Sequence, residues 1–146
     1  MTELPWLDAS FVGVLGLLIG SFLNVVIYRL PLMMEAQWKA EYAEMSGKEA
    51  PEMVAFNLVV PRSRCQKCHH AIRWYENIPM LSYLFLQGKC SDCKSPISLR
   101  YPLVELSTGA LFFYCGWRWG ATPTAALFCG YSAAILALAL IDWDTT

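Results

Sequence analysis

The sequence carries almost no excess charge of either sign, because 11 Lys and Arg residues stand against 12 Asp and Glu residues and the formal net charge is −1. A nucleic-acid-binding domain usually concentrates basic residues on one surface. Here the aromatic residues lie mostly in or beside apolar runs rather than among basic ones. The sequence therefore gives no support for nucleic-acid binding.

Apolar residues, by contrast, are abundant, at 56% of the sequence. An apolar helix needs roughly 17 to 25 residues to cross a hydrocarbon core about 30 Å thick. Residues 11–28, 103–119 and 124–141 approach that length. A signal peptide is the less favoured interpretation of the first run, since no positive residue precedes it and no small-residue cleavage site follows. We therefore expect a mainly α, polytopic helical membrane protein in contact with the lipid bilayer.

The basic residues indicate how the spans are oriented. Every Lys and Arg except Arg118 lies between Arg29 and Arg100. Lys and Arg accumulate in the cytoplasmic loops of membrane proteins. We therefore expect residues 29–102 to be cytoplasmic, the N-terminus and residues 118–123 to lie on the outer side, and the third span to return to the cytoplasm at Asp142.

The first span carries small residues at helical spacing. Gly16 and Gly20 form a small-x-x-x-small face of the kind that lets two helices approach closely. Ser21 and Asn24 add polar groups nearby, and an Asn in hydrocarbon needs a partner. This face predicts contact with protein rather than lipid, and plain packing is its favoured role.

Pro31 is expected to end the first helix. Beyond it, apolar residues recur every three or four positions, which predicts a separate short amphipathic helix; they are Met34, Trp38, Tyr42 and Met45. This helix could lie on the headgroups or cover the cytoplasmic domain, and its acidic polar face favours the second. Ser46 and Gly47 should close it, with a linker over residues 47–52.

The strongest local signal is two Cys-x-x-Cys pairs, Cys65 with Cys68 and Cys90 with Cys93. Two residues between thiolates let both sulfurs face one ion, so two such pairs predict a closed tetrahedral zinc site with a structural role. Basic residues that would offset the charge of the thiolates flank the pairs: Arg62, Arg64, Lys67, Lys89 and Lys94. Disulfides or redox-active pairs are the rival interpretation, disfavoured because disulfides seldom persist in the reducing cytosol.

Other potential metal ligands are assigned lesser roles. His69 and His70 follow the first pair, but four cysteines already fill a tetrahedron, so these histidines should face solvent or lie around the ligands. Cys115 and Cys129 lie in apolar runs and should behave as small hydrophobic residues.

Six motifs follow one another along the chain: GSFLNVV at residues 20–26, CxxC at 65–68, ENIP at 76–79, CxxC at 90–93, RYPLVE at 100–105, and Ile-Asp at 141–142. In this order, with one apolar run before the cysteine pairs and two after them, they resemble the bacterial type IV prepilin peptidases. The resemblance covers nearly the whole chain.

The resemblance implies a bifunctional enzyme of the bacterial inner membrane. Such enzymes cleave the basic leader of prepilins and pseudopilins, then methylate the new N-terminus with S-adenosylmethionine. Residues 1–102 would hold the first span and the cysteine-rich, methyltransferase-associated domain, and residues 103–146 the start of the aspartic peptidase domain. The absence of a glycine-rich loop leaves S-adenosylmethionine without an assigned pocket.

In the family, proteolysis uses an aspartate in an Ile-Asp motif, which Asp142 matches, and a second in a Gly-x-Gly-Asp motif. The second motif is absent from these 146 residues, so we expect an N-terminal fragment that cannot cleave alone. Asp144 lies two residues further on, about 200° around a helix, and cannot share a water with Asp142. Without the resemblance, Asp142 could equally be a solvated carboxylate ending a span.

Two glutamates carry open alternatives. Glu105 should lie just inside the second span, where a carboxylate is costly unless paired or functional. It could bind the basic leader or the new amino terminus, or form an ordinary ion pair, with Arg100 as a plausible partner. Glu76 has the same two interpretations.

Two further functions compete with the enzyme. A membrane-anchored zinc module that docks a cytoplasmic partner would need no second aspartate motif. A membrane thiol oxidoreductase would need its cysteine pairs to face an oxidising compartment.

Overall fold

The computed structural model describes residues 5–48 and 56–146, and the fold is mainly helical as predicted. Helix α1 spans Pro5–Met45, α2 spans Leu81–Phe85, α3 spans Arg100–Trp119 and α4 spans Pro123–Thr145; a 3₁₀ turn covers Trp74–Asn77. Two isolated β-bridges are the only extended pairing in the described residues. The cysteine pairs lie in the irregular segment between α1 and α3.

The expectation that Pro31 ends the first helix is wrong. Helix α1 runs through Pro31 for 41 residues, so the predicted amphipathic segment is its continuation. A proline removes one backbone hydrogen bond and crowds the carbonyl four residues earlier. The segment after Pro31 is rich in Leu, Met, Ala, Glu, Gln and Lys, which propagate a helix well, and this propensity favours continuation past the lost bond.

The far end of α1 closes where the sequence indicates. Gly47 adopts a φ of +66°, and the Lys48 amide donates to the Ala43 carbonyl at 3.0 Å. This is the left-handed C-terminal cap that glycine favours. The predicted linker lies outside the described residues beyond Lys48.

Helices α1 and α3 pack antiparallel through glycines, which confirms the predicted small-residue face. A Cβ added at Gly16 would lie 2.6 Å from the Phe112 Cβ, and one at Gly20 would lie 2.7 Å from the Glu105 Cα. Helix α3 also contributes a glycine to this contact, because a Cβ added at Gly116 would lie 2.9 Å from the Ala9 Cα. The backbones are thus too close for any larger residue at these points.

Asn24 forms a hydrogen bond with another part of the protein, as predicted for an Asn within an apolar helix. Its Nδ2 donates to the Tyr101 carbonyl at 3.1 Å, in the first turn of α3. A polar side chain bonded across two apolar helices fixes their register, because sliding would leave the amide unpaired.

Helix α4 packs on both other long helices and completes the core. Cys115 and Cys129 are buried there as small apolar residues, as expected. The rings of Trp119 and Phe128 stack with centroids 4.4 Å apart at the α3–α4 turn.

Two of the three predicted spans are long and apolar enough to cross a membrane: α1 and α4. Helix α3 falls short in hydropathy, since its 20 residues include Arg100, Glu105 and Arg118. Only 33% and 22% of the most apolar windows of α1 and α4 are buried within the protein. A core helix of a water-soluble protein would bury most of its apolar residues, so these exposed faces favour a lipid environment.

Candidate functional site

The four cysteines of the two pairs converge at one point. All four sulfurs lie within 4.8 Å of one another. The closest contacts cross between the pairs, at 3.7 Å for Cys65 with Cys93 and 3.9 Å for Cys68 with Cys90. Sulfurs placed about 2.3 Å from a tetrahedral zinc are separated by about 3.8 Å, so the thiol cluster fits the ion that the spacing predicted.

The two cysteine pairs fold in the same way. The Cys65 amide donates to the His70 carbonyl and the Cys90 amide to the Ser95 carbonyl, both at 2.9 Å. The residue after each second cysteine has a positive φ, at 58° for His69 and 56° for Lys94. Each pair is also closed by an antiparallel bridge, Arg64 with Ala71 and Lys89 with Pro96. This repeated turn aims both sulfurs of each pair inward.

The cluster favours unequal protonation of its thiols. Backbone amides of Cys68 and Lys67 donate to the Cys65 sulfur and lower the pKa of Cys65 to about 6. The His70 amide favours the Cys68 thiolate, but burial and hydrogen bonds with the other thiols outweigh it and raise the pKa of Cys68 to about 12. Thiols competing for protons in this way lose them together when a cation binds. All six cysteines of the chain are free thiols.

Ser95 is a member of this site that the sequence did not single out. Its hydroxyl lies 3.1 Å from the Cys93 sulfur and 3.8 Å from the Cys65 sulfur. Hydrogen bonds to ligating sulfurs orient them and offset their charge. The sequence feature that could have identified Ser95 is its position two residues after Cys93.

The histidines stand outside the four-sulfur group. His69 is exposed, and His70 Nε2 lies 3.3 Å from Glu76 Oε2. The same oxygen of Glu76 accepts from the Arg73 amide at 2.8 Å, which caps the start of the 3₁₀ turn. Hydrogen bonds from Ser91 and from the Arg73 amide lower the pKa of Glu76. Glu76 thus ties the first cysteine pair to the turn that follows it.

Glu105 is buried between α3, α1 and the cysteine-rich segment. Only 8% of the residue is exposed, and its Oε2 accepts from the Met80 amide at 2.8 Å. Arg100, which was a plausible ion-pair partner for Glu105, pairs with Asp144 instead. Residues five apart on a helix point about 140° away from each other, so Arg100 and Glu105 project to different neighbours. Glu105 therefore joins the cysteine-rich segment to the first turns of α3.

Arg100 instead pairs with Asp144. Its Nη1 lies 2.6 Å from the Asp144 Oδ1. Another guanidinium nitrogen, Nη2, is buried and has no partner among the described residues. This ion pair joins the start of α3 to the end of α4.

Asp142 lies on the last turn of α4 and is exposed. Its carboxylate has no hydrogen-bond partner within residues 5–48 and 56–146, whereas its backbone carbonyl accepts from the Thr146 amide at 3.0 Å. The structure thus separates the two aspartates: Asp144 is held in an ion pair and Asp142 is available to another group.

Arg29 is a second residue that the sequence left unassigned. It is only 7% exposed, and its guanidinium donates to the carbonyls of Asn57 at 2.8 Å and Pro61 at 2.6 Å. It also lies 5.6 Å from the centroid of the Phe56 ring. Arg29 thereby fastens the start of the cysteine-rich segment to α1. The only signal was a basic residue directly after an apolar run.

Comparison with known proteins decides the family. Residues 14–119 match the family model described as the bacterial peptidase A24 N-terminal domain. Proteins named prepilin leader peptidase/N-methyltransferase are 51% identical in Pseudomonas putida over 90% of the chain and 53% identical in Pseudomonas aeruginosa over 89%. One from Burkholderia pseudomallei is 46% identical over 95%. The chain belongs to the prepilin leader peptidase/N-methyltransferase family.

The family resemblance drawn from the six motifs is thereby confirmed. The chain spans about half the length of these relatives, at 46%, 45% and 46% of their own sequences. No solved structure matches. The matched region, 14–119, crosses the domain boundary predicted at residue 102, and α1 and α3 pack across that boundary; the boundary stays a prediction.

The relatives' names include an N-methyltransferase, and S-adenosylmethionine stays a prediction from the family resemblance. A cleft of about 550 Å³ lies beside the thiol cluster, with Arg73, Tyr75, Glu76 and Asp92 in its lining. The described residues contain no strand followed by a glycine-rich loop of the kind that holds nucleotide cofactors. They do not fit that type of site, so none is assigned to the cofactor.

Proposed function

We propose that this chain forms the N-terminal part of an inner-membrane enzyme that removes the basic leader of type IV prepilins and pseudopilins and methylates the new N-terminus. The observation that carries the proposal is sequence identity of 45% to 53% with proteins named for these two activities, over nearly all of the chain. The docking module is not favoured by these names. The thiol oxidoreductase has no support among them either.

Asp142 is the proposed first half of the proteolytic dyad. It ends an apolar helix with an exposed carboxylate, and its neighbour Asp144 is engaged by Arg100. In such a dyad an ionised carboxyl takes a proton from water, whose oxygen attacks the peptide carbon, while a protonated carboxyl supplies the departing amine with its proton. The second carboxyl comes from outside these 146 residues, which contain no Gly-x-Gly-Asp.

The proposed arrangement places residues 29–102 in the cytoplasm and α1, α3 and α4 across the bilayer. The distribution of basic residues supports the orientation. Exposed apolar side chains on α1 and α4 support the membrane contact, among them Phe11, Leu127, Tyr131 and Leu138, each at least 64% exposed. Helix α3 has a lower mean hydropathy, and it packs against both of these more apolar helices.

Zinc is proposed as a structural ion held by Cys65, Cys68, Cys90 and Cys93. Four sulfur ligands leave no open position for substrate or water. The ion would hold together a segment that has little regular secondary structure. The thiol cluster then positions Glu76 and, through the following turn, the Met80 amide at Glu105.

The test is complementation in a bacterial strain lacking its own prepilin peptidase. The full-length protein should restore leader removal, and the mature pilin should carry one additional methyl group on its N-terminal amine, both read by mass spectrometry. A catalytically silent full-length protein that nevertheless co-purifies with a cytoplasmic partner would support the docking module and contradict the enzyme.

A further inference from the structure

Helix α2 is amphipathic, but its apolar face is exposed, which is the opposite of the usual arrangement in a water-soluble protein. Leu81, Leu84 and Phe85 occupy one face by their i, i+3, i+4 spacing, and they are 52%, 65% and 85% exposed. The residues directed inward are Ser82, which is only 8% exposed, and the partly buried Tyr83, whose hydroxyl donates to the Ile97 carbonyl. The helix therefore presents its apolar face outward and buries its polar one.

Hydrogen bonds fix this orientation. The Ser82 hydroxyl accepts from the Ile78 amide at 2.9 Å and donates to the Tyr75 carbonyl at 2.7 Å. Rolling the helix to bury Leu84 and Phe85 would break both bonds and expose the groups that they satisfy. Trp74 starts the preceding 3₁₀ turn, which contacts α2, and it is 81% exposed as well. We call Trp74, Leu81, Leu84 and Phe85 the α2 patch.

The α2 patch lies next to the start of a span. Met80 immediately precedes α2, and its amide donates to Glu105, two residues inside the span predicted at 103–119. This contact holds the beginning of α2 beside the first turns of α3, at the depth where α3 would enter the bilayer. The apolar face is thus placed near the hydrocarbon boundary rather than far out in solvent.

The charge of the same segment suits an anionic lipid surface. Residues 56–102 contain seven Lys and Arg residues and two acidic ones. Four thiolates on one zinc ion would add two negative charges, and the basic residues still outnumber the negative charges of the segment. One of the two acids, Glu76, is engaged by His70 and the Arg73 amide. The cytoplasmic leaflet carries a negative surface potential that attracts basic segments next to a span. Tryptophan and apolar side chains are favoured at the headgroup boundary.

We propose that the α2 patch inserts into the headgroup boundary of the cytoplasmic leaflet, so that α2 is an interfacial helix holding the cysteine-rich segment against the membrane. The inference rests on the membrane arrangement proposed above. A lipid surface, rather than a protein partner, accounts for the outward apolar face, the adjoining span and the positive charge together.

Native tryptophans allow a direct test in the full-length protein. It would be placed in nanodiscs of phosphatidylcholine and phosphatidylglycerol, with or without lipids brominated in the upper acyl chain, which quench nearby indoles. The difference in quenched fluorescence between wild type and Trp74→Phe gives the quenching of Trp74 itself. Trp117→Phe serves as the reference for a ring in a span and Trp38→Phe for the cytoplasmic extension of α1. We expect Trp74 to be quenched as strongly as Trp117 and at least about twofold more than Trp38.

A second pair of variants ties the effect to the patch. Phe85→Glu should reduce the quenching of Trp74 by lipid, whereas Phe85→Leu should preserve it, with unchanged thermal unfolding in both because the side chain is exposed. Quenching of Trp117 without quenching of Trp74 overturns the inference, and would mean that protein or water covers the patch. Failure to quench either ring overturns the membrane arrangement itself.

Discussion

Arg100 and Asp144 form an ion pair, with 2.6 Å between Nη1 and Oδ1, that joins the first residue of α3 to the last turn of α4. The pair brings together residues 44 positions apart, at the point where the cysteine-rich segment meets α3. The neighbouring Asp142 is exposed and lies outside this ion pair, which holds the end of α4 beside the start of α3.

The first prediction concerns this ion pair. The two side chains are 39% and 34% exposed, so solvent screening should limit their coupling to about 0.2–1 kcal/mol. Arg100→Gln and Asp144→Asn should each lower the free energy of unfolding slightly, and the double variant should cost less than their sum. Chemical unfolding in detergent measures this cycle. Strict additivity would show that the pair contributes nothing.

The second prediction concerns the close contact of α1 and α3. Gly20→Val would force a side chain into a position where even a Cβ lies 2.7 Å from the Glu105 Cα. Overpacking of this kind typically costs about 1–3 kcal/mol. Gly130→Val is the matched control, because a Cβ there meets nothing within 4 Å. We expect a clearly lower melting temperature for Gly20→Val than for the control; equal values would contradict the packing.

The third prediction is stoichiometric zinc, one ion per chain. Cys65→Ser or Cys90→Ser should abolish it and make the segment between α1 and α3 sensitive to protease, as should a strong chelator acting on the unmodified protein. Cys115→Ala, in the helical core, should retain the ion. Elemental analysis and limited proteolysis are the measurements. Purified protein with no zinc and with the four cysteines in disulfides would overturn the assignment.

The fourth prediction follows from Glu76. Because its pKa is lowered in the folded protein, the carboxylate stabilises the fold above the unfolded value, about 4.3, and this contribution disappears as the pH falls through the lower folded pKa. The melting temperature of wild type should therefore exceed that of Glu76→Gln at neutral pH, and the gap should close in acid. Glu44→Gln, at an exposed site on α1, should show no such trend. A difference in melting temperature between wild type and Glu76→Gln that stays unchanged in acid would contradict stabilisation by the ionised Glu76 carboxylate.

Local chemistry was predictable from the sequence, and contacts between distant elements were not. Spacing alone identified the four thiols, because two Cys-x-x-Cys turns can satisfy one ion without help from the rest of the fold. The close approach at Gly16 and Gly20 was also predictable from local spacing, because two glycines on one helical face let another helix pack closely there. The partner of Asn24 could be expected but not named.

All but one of the misses depended on tertiary context, and the exception is Pro31. Pro31 has an unfavourable local effect that the helical propensity of the following residues outweighs. Arg100 has an acid nearby in sequence at Glu105, yet helix geometry directs it to Asp144 instead. Arg29 and Ser82 are satisfied by backbone groups of irregular segments, whose positions no periodic pattern reveals. The sequence of a five-residue helix is likewise too short to predict which face of α2 is buried. The buried Ser82 in the structure shows that the apolar face points outward.

The central claim is that Asp142, and not Asp144, supplies the first catalytic carboxyl of a prepilin-cleaving enzyme. The most direct measurement is prepilin processing in a strain lacking its own enzyme, comparing the 146-residue chain, the full-length protein, and full-length Asp142→Asn and Asp144→Asn. Processing should occur with the full-length protein and, more slowly, with Asp144→Asn, which loses only the ion pair to Arg100. Processing by the 146-residue chain alone or by Asp142→Asn would contradict the account.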